Sequence, residues 1–562
     1  MKGSKDTPRS AWKSVGTGAV LIVVLTMVVY IPAMRGGFIW DDALFITDNP
    51  MMKAHDGLHR FWLTTEAPDY YPLTWSLWWL EWRAWGSNAT GYHVVNILLH
   101  AANAVLVWMI LRRLKISGAW LAALAFAIHP VNVATVAWIS EQKNTLSMMF
   151  SAVAVLLYLK FDESDRWPWY GLSLMAFLLA LLSKSAAVML PVVLLGCVWW
   201  MRHRIRWKDL LRCAPFFLLS LVLGLATVWF QYHQVLEEAI TNRRVAVRLA
   251  AAGWAPWFYF GKTLVPLNLM LIYPKWHIDA SRWICYVPGV LWIACFVVFW
   301  WKRESWGRPL LFGFGCFVAM LFPVLGFFDQ GFYEYSAVAD HWQYYSIIGI
   351  IALVVAAGEG ICRRLGERRR WAEVLVGAAV FLTLGAATWK RTCVYATNET
   401  FWWDNVTRNP GASVAHFNLG EALAQKGEIK EAIDCYERAL KLDPDYAQAH
   451  NNLGNSLFEV GRVEEAIAHL KEAVRLKPDS ATMHSNLGGV LVQTGRTDEG
   501  IKQLEEAVRL KPDFADAQYN WGVALEQAGR NQEAIGHFQE ALQIEPDYVE
   551  ARNELARLQP SR

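Results

Sequence analysis

Before residue 395 the chain runs apolar again and again for the thickness of a lipid hydrocarbon core. A helix of about 20 apolar residues spans that core. Such stretches fall at 14–34, 92–112, 119–137, 144–160, 168–183, 185–201, 212–232, 285–301, 309–327, 342–361 and 371–389. In lipid each backbone N–H and C=O must be bonded within the segment, so repeated spans of this kind dictate a helical bundle, here of about eleven spans. A twelfth stretch, 246–266, carries Arg248 and Lys262 and reads as a re-entrant or interfacial helix. Composition agrees: only 18% of residues are charged, against about 25% in soluble domains. A soluble globular or disordered chain is excluded. A net charge of +3 is too balanced for a nucleic-acid binder. The eight cysteines show neither metal spacing nor a paired framework, and most sit in apolar stretches where they pack.

Lys and Arg orient the spans. Segments 1–13, 112–118, 160–167, 201–212, 302–308 and 361–370 hold 22 of them. The alternate segments 35–91, 138–144, 183–185, 233–284 and 328–341 are more than twice as long in total and hold 12. The positive-inside rule then predicts a cytoplasmic amino terminus, and an odd span count puts everything after residue 395 across the membrane. A spanning 246–266 would turn Lys302, Arg303 and Arg308 outward and break this bias. The basic stretch Lys2, Lys5, Arg9 and Lys13 before the first apolar run also suits a secretory signal. No small-x-small cleavage site follows it, so an uncleaved first helix is expected.

From about residue 412 the sequence turns polar and periodic. Pro410, Pro444, Pro478, Pro512 and Pro546 are spaced by 34, as are Gly427, Gly461, Gly495 and Gly529, and Gly420, Gly454, Gly488 and Gly522. Ala439, Ala473, Ala507 and Ala541 keep the same interval, where two helices must approach closely. This is the tetratricopeptide pattern, a helix–turn–helix unit closed by proline. Four repeats and a capping helix over 547–562 predict an α-solenoid with a concave groove. The expected organisation is all-α: a membrane domain over 1–395, a linker over 396–411, and the repeats over 412–562.

Chemistry-bearing residues gather at the outer ends of the predicted spans. Asp41 and Asp42 follow the first span directly. Two carboxylates at a membrane surface are costly to desolvate, so they read either as a general base with an orienting or metal-binding neighbour, or as a helix cap or solvated pair. His129, Lys143, Lys184, Glu334, Asp340 and His341 fall on the same side by this topology. Acids and cations on one leaflet suit an anionic lipid headgroup. Singly, each lysine also reads as a snorkelling anchor and each histidine as a bonded helix-end residue.

Trp40-Asp41-Asp42, Tyr71-Pro72-Leu73-Thr74, Gly91-Tyr92-His93-Val94-Val95-Asn96, His129-Pro130, Ser140-Glu141-Gln142-Lys143 and Ala339-Asp340-His341 together resemble the transmembrane-and-tetratricopeptide-repeat proteins. These are GT-C-fold glycosyltransferases related to the protein O-mannosyltransferases, and this chain looks like a bacterial-type member. The resemblance covers nearly the whole chain. It implies a transferase that takes a sugar, such as mannose, from a dolichyl or undecaprenyl phosphate and passes it to a protein hydroxyl. It implies that the first acid of the motif, Asp41, is the base, and that the repeats are extracytoplasmic: periplasmic in a bacterium, or in the ER lumen of a eukaryote. The motif here is Asp-Asp where the mannosyltransferases proper have Asp-Glu, which leaves sugar identity and metal dependence open.

Sugar transfer from a phosphate needs a base for the acceptor oxygen and positive charge for the departing phosphate. The expected roles are Asp41 as base and Asp42 as its orienter, or as ligand of a divalent ion (Mg or Mn) if one is used. Lys143 and Lys184 are expected on the phosphate, with His129 and His341 beside them and Asp340 or Glu334 as a second acid. Attack opposite the phosphate inverts the anomeric carbon. Asn418, Asn452, Asn486 and Asn520 repeat in every first helix, although asparagine forms helix poorly. They read either as a ladder binding an acceptor peptide's backbone or as inter-helix hydrogen bonds. Two further readings compete: a non-catalytic membrane scaffold whose repeats assemble envelope proteins, and a ligase or transporter of lipid-linked glycans. No Walker-type loop, dinucleotide fingerprint or zinc spacing is present.

Overall fold

The computed structural model describes residues 8–235, 245–365 and 370–559. Lys2 and Lys5 of the basic stretch lie outside them, as do residues 560–562 of the expected cap. The described residues are helical, with no strand among them. The chain divides into two compact units, residues 1–408 and 409–562.

In the first unit, Ala89–Arg113, Ile139–Ser164, Ser185–Arg202, Trp207–His233, Trp283–Trp301, Gly307–Val324 and Val374–Val394 are long and apolar enough to cross a membrane. Each lies on an expected span. The stretch 119–137 is instead a pair, Ala119–Ala127 and Pro130–Val136, bent by 45°. The bend has a local cause: Pro130 has no N–H to donate, and His129 caps the second piece, its Nδ1 accepting from Val131 N at 3.3 Å. Val15–Val29 and Trp167–Ser183 are shorter apolar helices, and Ile347–Leu365 covers the 342–361 stretch from its sixth residue on. The 246–266 stretch is one helix, Val245–Leu264, with Pro256 inside it. Its Arg248 pairs with Asp329 at 2.7 Å.

The expected linker over 396–411 needs correction. Most of it is the helix Asn398–Arg408, which buries Phe401, Trp402 and Asn405 in the first unit and ion-pairs Asp404 to Arg391. Two adjacent aromatics make this segment a packing element rather than a tether.

Buried amides and hydroxyls tie distant loops onto the helices at one end of this unit. Asn96 donates to Thr135 O at 3.0 Å and to Val136 O at 2.9 Å, and accepts from Thr145 Oγ1 at 2.6 Å. Asn103 donates to Thr145 O at 2.8 Å. His100 lies 2.9 Å from Ala127 O and 2.7 Å from the Tyr344 hydroxyl. All these side chains are buried, where an unpaired polar group costs about 1–3 kcal/mol. The network therefore fixes the 129–141 segment against Ala89–Arg113.

In the second unit, four helix pairs run from Ser413–Gln425 with Ile429–Leu442 to Ala515–Gln527 with Asn531–Ile544, followed by Val549–Leu558. The two glycine series have separate causes. Gly427, Gly461, Gly495 and Gly529 turn the chain between paired helices at φ of 78–81°, a region costly for residues with a Cβ. At Gly454 a Cβ would meet Leu470 at 2.6 Å, so that series permits close helix approach. Ala439, Ala473, Ala507 and Ala541 are fully buried. A column of His416, His450, His484 and Gln518 bonds the carbonyls of Pro410, Pro444, Pro478 and Pro512 at 3.0–3.3 Å.

Candidate active site at the acidic motif

The chain enters the motif under constraint. Gly37 N donates to Ala396 O at 3.1 Å and Trp40 N to Asn398 Oδ1 at 2.9 Å. Trp40 is held at φ 45°, an uncommon conformation for a bulky residue. A π-helical turn, Ala43–Thr47, follows the two acids. Strained backbone and π-turns both concentrate at functional sites.

The neighbouring acids have different surroundings. Asp42 is fully buried. Its Oδ2 accepts from Ile39 N at 2.9 Å, and its Oδ1 accepts from Ser140 N at 2.7 Å and from the Ser140 hydroxyl. It clamps the motif to a loop 98 residues away. Burial raises its pKa, and the bonds from Ile39 and Ser140 hold it back. Asp41 is half-buried and accepts no hydrogen bond among the described residues. Burial pushes its pKa up to about 6; the Lys143 ammonium opposes the shift and the Glu141 carboxylate adds to it. A carboxyl poised near neutrality with free lone pairs can accept a proton.

The cations converge on a residue that sequence reasoning passed over as a site. Glu141, buried, takes Lys143 Nζ at 3.3 Å on Oε1 and Lys184 Nζ at 3.1 Å on Oε2. Asn144 donates to the same Oε2, and His341 Nε2 stands 4.0 Å from Oε1. Burial holds His341 down to about 4, although Glu141 opposes the shift, so the imidazole is neutral. Its signal in the sequence was position: Glu141 sits two residues before Lys143. Asp69, also unforeseen, is hydrogen-bonded by Gln231, and the charges of Lys143 and Lys184 act on it. Lys184 is fixed from both sides. Thr74 Oγ1 donates to Ser183 O at 2.8 Å, Tyr71 OH lies 3.3 Å from Ser185 Oγ, and Ser147 Oγ donates to Lys184 O at 3.3 Å.

Three expected residues stand apart from this cluster. His129 has both ring nitrogens engaged, Nδ1 as the cap above and Nε2 at 3.0 Å from Thr263 O, so its expected place on the phosphate is corrected to a helix cap. Asp340 accepts from Tyr273 OH at 2.8 Å; the cations acting on it are Arg391 and Lys262. Glu334 is exposed. Among the described residues no group of three or more His, Cys, Asp or Glu is arranged to hold a metal ion. Asp42 already accepts three hydrogen bonds on its two oxygens, which engages it as a clamp rather than as a free metal ligand.

Aromatic rings wall the acid side. Trp40 stacks on Trp138 at 5.4 Å, with Phe332 and Tyr335 edge-on at 6.3 and 5.9 Å. The charge of Asp41 acts on Tyr335.

In the repeats, the asparagine amides point along the stack. Asn452 donates to Glu421 Oε1 at 3.1 Å, Asn486 to Asn451 Oδ1 at 2.9 Å and Asn520 to Ser485 Oγ at 3.5 Å, each in the preceding repeat. Asn418 bonds back to Val414 O at 2.7 Å in its own helix.

The resemblance read from the sequence is borne out. Residues 72–230 match the family described as dolichyl-phosphate-mannose-protein mannosyltransferase. That match includes Lys143 and Lys184 and begins after the acidic pair. Residues 420–461 and 454–495 match the TPR repeat, and 486–557 the tetratricopeptide repeat. A protein O-mannosyl-transferase of Caenorhabditis elegans is 26% identical over 468 residues, covering 79% of this chain and 65% of that protein. A human protein O-mannosyl-transferase is 25% identical over 504 residues, 76% of this chain and 66% of that protein. The chain thus spans just under two thirds of these relatives' length. The crystal structure of MamA is similar over 26% of this chain and 85% of its own, with 27% identity and a TM-score of 0.25, too low to add to the repeat assignment.

Proposed function

We propose that the first unit is a membrane glycosyltransferase that moves a hexose, mannose, from a polyprenyl phosphate to a hydroxyl of a protein acceptor. The observation that carries this reading is the separation of roles at the motif. Asp42 and Ser140 anchor the segment, leaving the Asp41 carboxylate unbonded within the electrostatic reach of Lys143, which shares Glu141 with Lys184. In the proposed step the acceptor O–H gives its proton to Asp41 as its oxygen attacks the anomeric carbon. The bond from that carbon to the phosphate oxygen breaks, and the electron pair leaves on the lipid phosphate. Lys143 and Lys184 receive it. Each uses one of three N–H donors on Glu141 and keeps others for the phosphate. His341, neutral, adds a hydrogen-bonding nitrogen rather than charge. The rings of Trp40 and Tyr335 offer apolar faces to a sugar. Attack from the side opposite the phosphate inverts the anomeric centre.

The spans, the cytoplasmic amino terminus and the extracytoplasmic repeats belong to the same proposal, supported by the charge bias of the loops. The acceptor is held by the repeat groove. There Asn452, Asn486 and Asn520 stitch neighbouring first helices, and all four asparagines offer the rest of their amide capacity to a peptide backbone. Intact-mass analysis of membrane and secreted proteins from cells with and without this chain tests the reading. A hexose mass present only with the wild-type chain, and absent with Asp41→Asn, supports it. Identical masses in all three point to the non-catalytic scaffold.

A further inference from the structure

Helices Ala89–Arg113, Gln142–Ser164, Leu190–Arg202, Gly307–Leu321 and Ile347–Leu365 enclose a cavity of about 330 Å³. Its walls are almost wholly apolar, with Leu111, Val155, Val193, Phe312, Ile348 and Leu353 among them. It extends from Met320 and Tyr345 to Pro309 and Ala356. On the helix Gly307–Leu321 that interval is eleven residues, or about 16 Å at helical rise. A space this long and apolar takes an extended hydrocarbon chain.

The end far from the acids is not apolar. Ala89–Arg113 brings Asn96 to the loop beside the motif and Arg113 to the opposite end, where Lys115 and Ser117 line the cavity. Arg363 donates to Ser117 Oγ at 3.0 Å. The Arg308 guanidinium lies 4.8 Å from the ring of Trp200, another wall residue. One carboxylate, Glu359, accepts from Ser117 and pairs with Arg363 at 3.2 Å. Among the described residues Lys115, Arg308 and Arg363 thus lie at the mouth of an elongated apolar cavity, with Glu359 paired to Arg363 and the Glu304 charge acting on Arg308. Basic pockets between membrane helices are where anionic lipid headgroups bind.

We propose that this cavity is a binding site for an anionic phospholipid, one acyl chain inside and the phosphate on Lys115, Arg308 and Arg363. A polyprenyl tail descending from the lysine pair would enter the same space end first and leave those cations unanswered, so the charge pattern favours the phospholipid. The site is separate from the transfer reaction and stands or falls without it.

Native mass spectrometry of the full chain carrying Asp41→Asn, titrated with phosphatidylglycerol or phosphatidylcholine of identical chains, tests the assignment. One phosphatidylglycerol is expected to bind per chain, more tightly than phosphatidylcholine. Lys115→Gln, an exposed position, is expected to weaken phosphatidylglycerol about fivefold and leave phosphatidylcholine unchanged. Ala356→Phe, which fills the lower cavity, is expected to remove binding. Equal affinity for the two lipids, or no response to Lys115→Gln, overturns the proposal. So does an Ala356→Phe chain that keeps phosphatidylglycerol but loses binding of undecaprenyl phosphate, which would assign the cavity to the donor.

Discussion

Changing either motif aspartate to asparagine is nearly isosteric, yet the two substitutions are expected to fail in different ways. Asp42 accepts from two backbone N–H groups and one hydroxyl. Asparagine keeps one accepting oxygen. Whichever way the amide turns, its NH₂ faces either Ile39 N–H or the Ser140 pair. At least one hydrogen bond to a charged acceptor is lost, worth about 1.5–3 kcal/mol, and a buried donor is left unsatisfied at a further cost of about 1–3 kcal/mol. Asp42→Asn should therefore lose about 3–5 kcal/mol of stability, with activity falling alongside folded protein. Asp41 is half-buried and bonds to no described residue, so Asp41→Asn should change stability by less than about 0.5 kcal/mol. Turnover should fall about 10²–10⁴-fold, the usual contribution of a general base. Thermal unfolding in detergent, run beside donor turnover per folded molecule, separates the two. An Asp41→Asn chain as unstable as Asp42→Asn, or an Asp42→Asn chain with native stability, would refute the division of roles.

The remaining expectations follow from the charge cluster and the repeats. With Asp41 raised to about 6, the base form is lost as pH falls through that value, so kcat/KM should show an acid limb near pH 6. Lys143→Gln removes the charge that favours ionised Asp41 and should move that limb to higher pH. Lys184→Gln should raise the donor KM by about 10–100-fold, the loss of one charged hydrogen bond. Glu141→Gln removes the carboxylate shared by two partly buried ammonium groups and should destabilise the membrane unit by up to about 3 kcal/mol, seen as a lower unfolding midpoint. Replacing Asn418, Asn452, Asn486 and Asn520 together by alanine should lower both solenoid stability and acceptor modification; unchanged modification would remove the groove asparagines from acceptor binding.

How far the sequence reaches depends on how far apart the interacting residues are. The repeats were fully legible because each constraint recurs at a fixed interval: a left-handed turn at Gly427 and a close approach at Gly454 are local demands. The apolar runs gave the membrane helices for the same reason, although not the bend at Pro130. The site was legible only as a set of residue types on one side. That Asp42 is a clamp depends on Ser140, 98 positions away. The pairing of Lys143 and Lys184 through Glu141 joins two helices, and nothing in periodicity announces it. His129 and Asp340 carried the same sequence signal as His341, and only packing separates the two that turn elsewhere. Asn398–Arg408 was missed as a helix because its length and polarity matched a tether, while its burial rests on two aromatics.

The central claim is tested most directly by purified full chain in lipid nanodiscs, supplied with polyprenyl-phosphate mannose labelled in the sugar and a protein acceptor. Label is expected covalently attached to acceptor hydroxyls with inverted anomeric configuration, and none with Asp41→Asn. Label transferred equally well by Asp41→Asn, or with retained configuration, would contradict it.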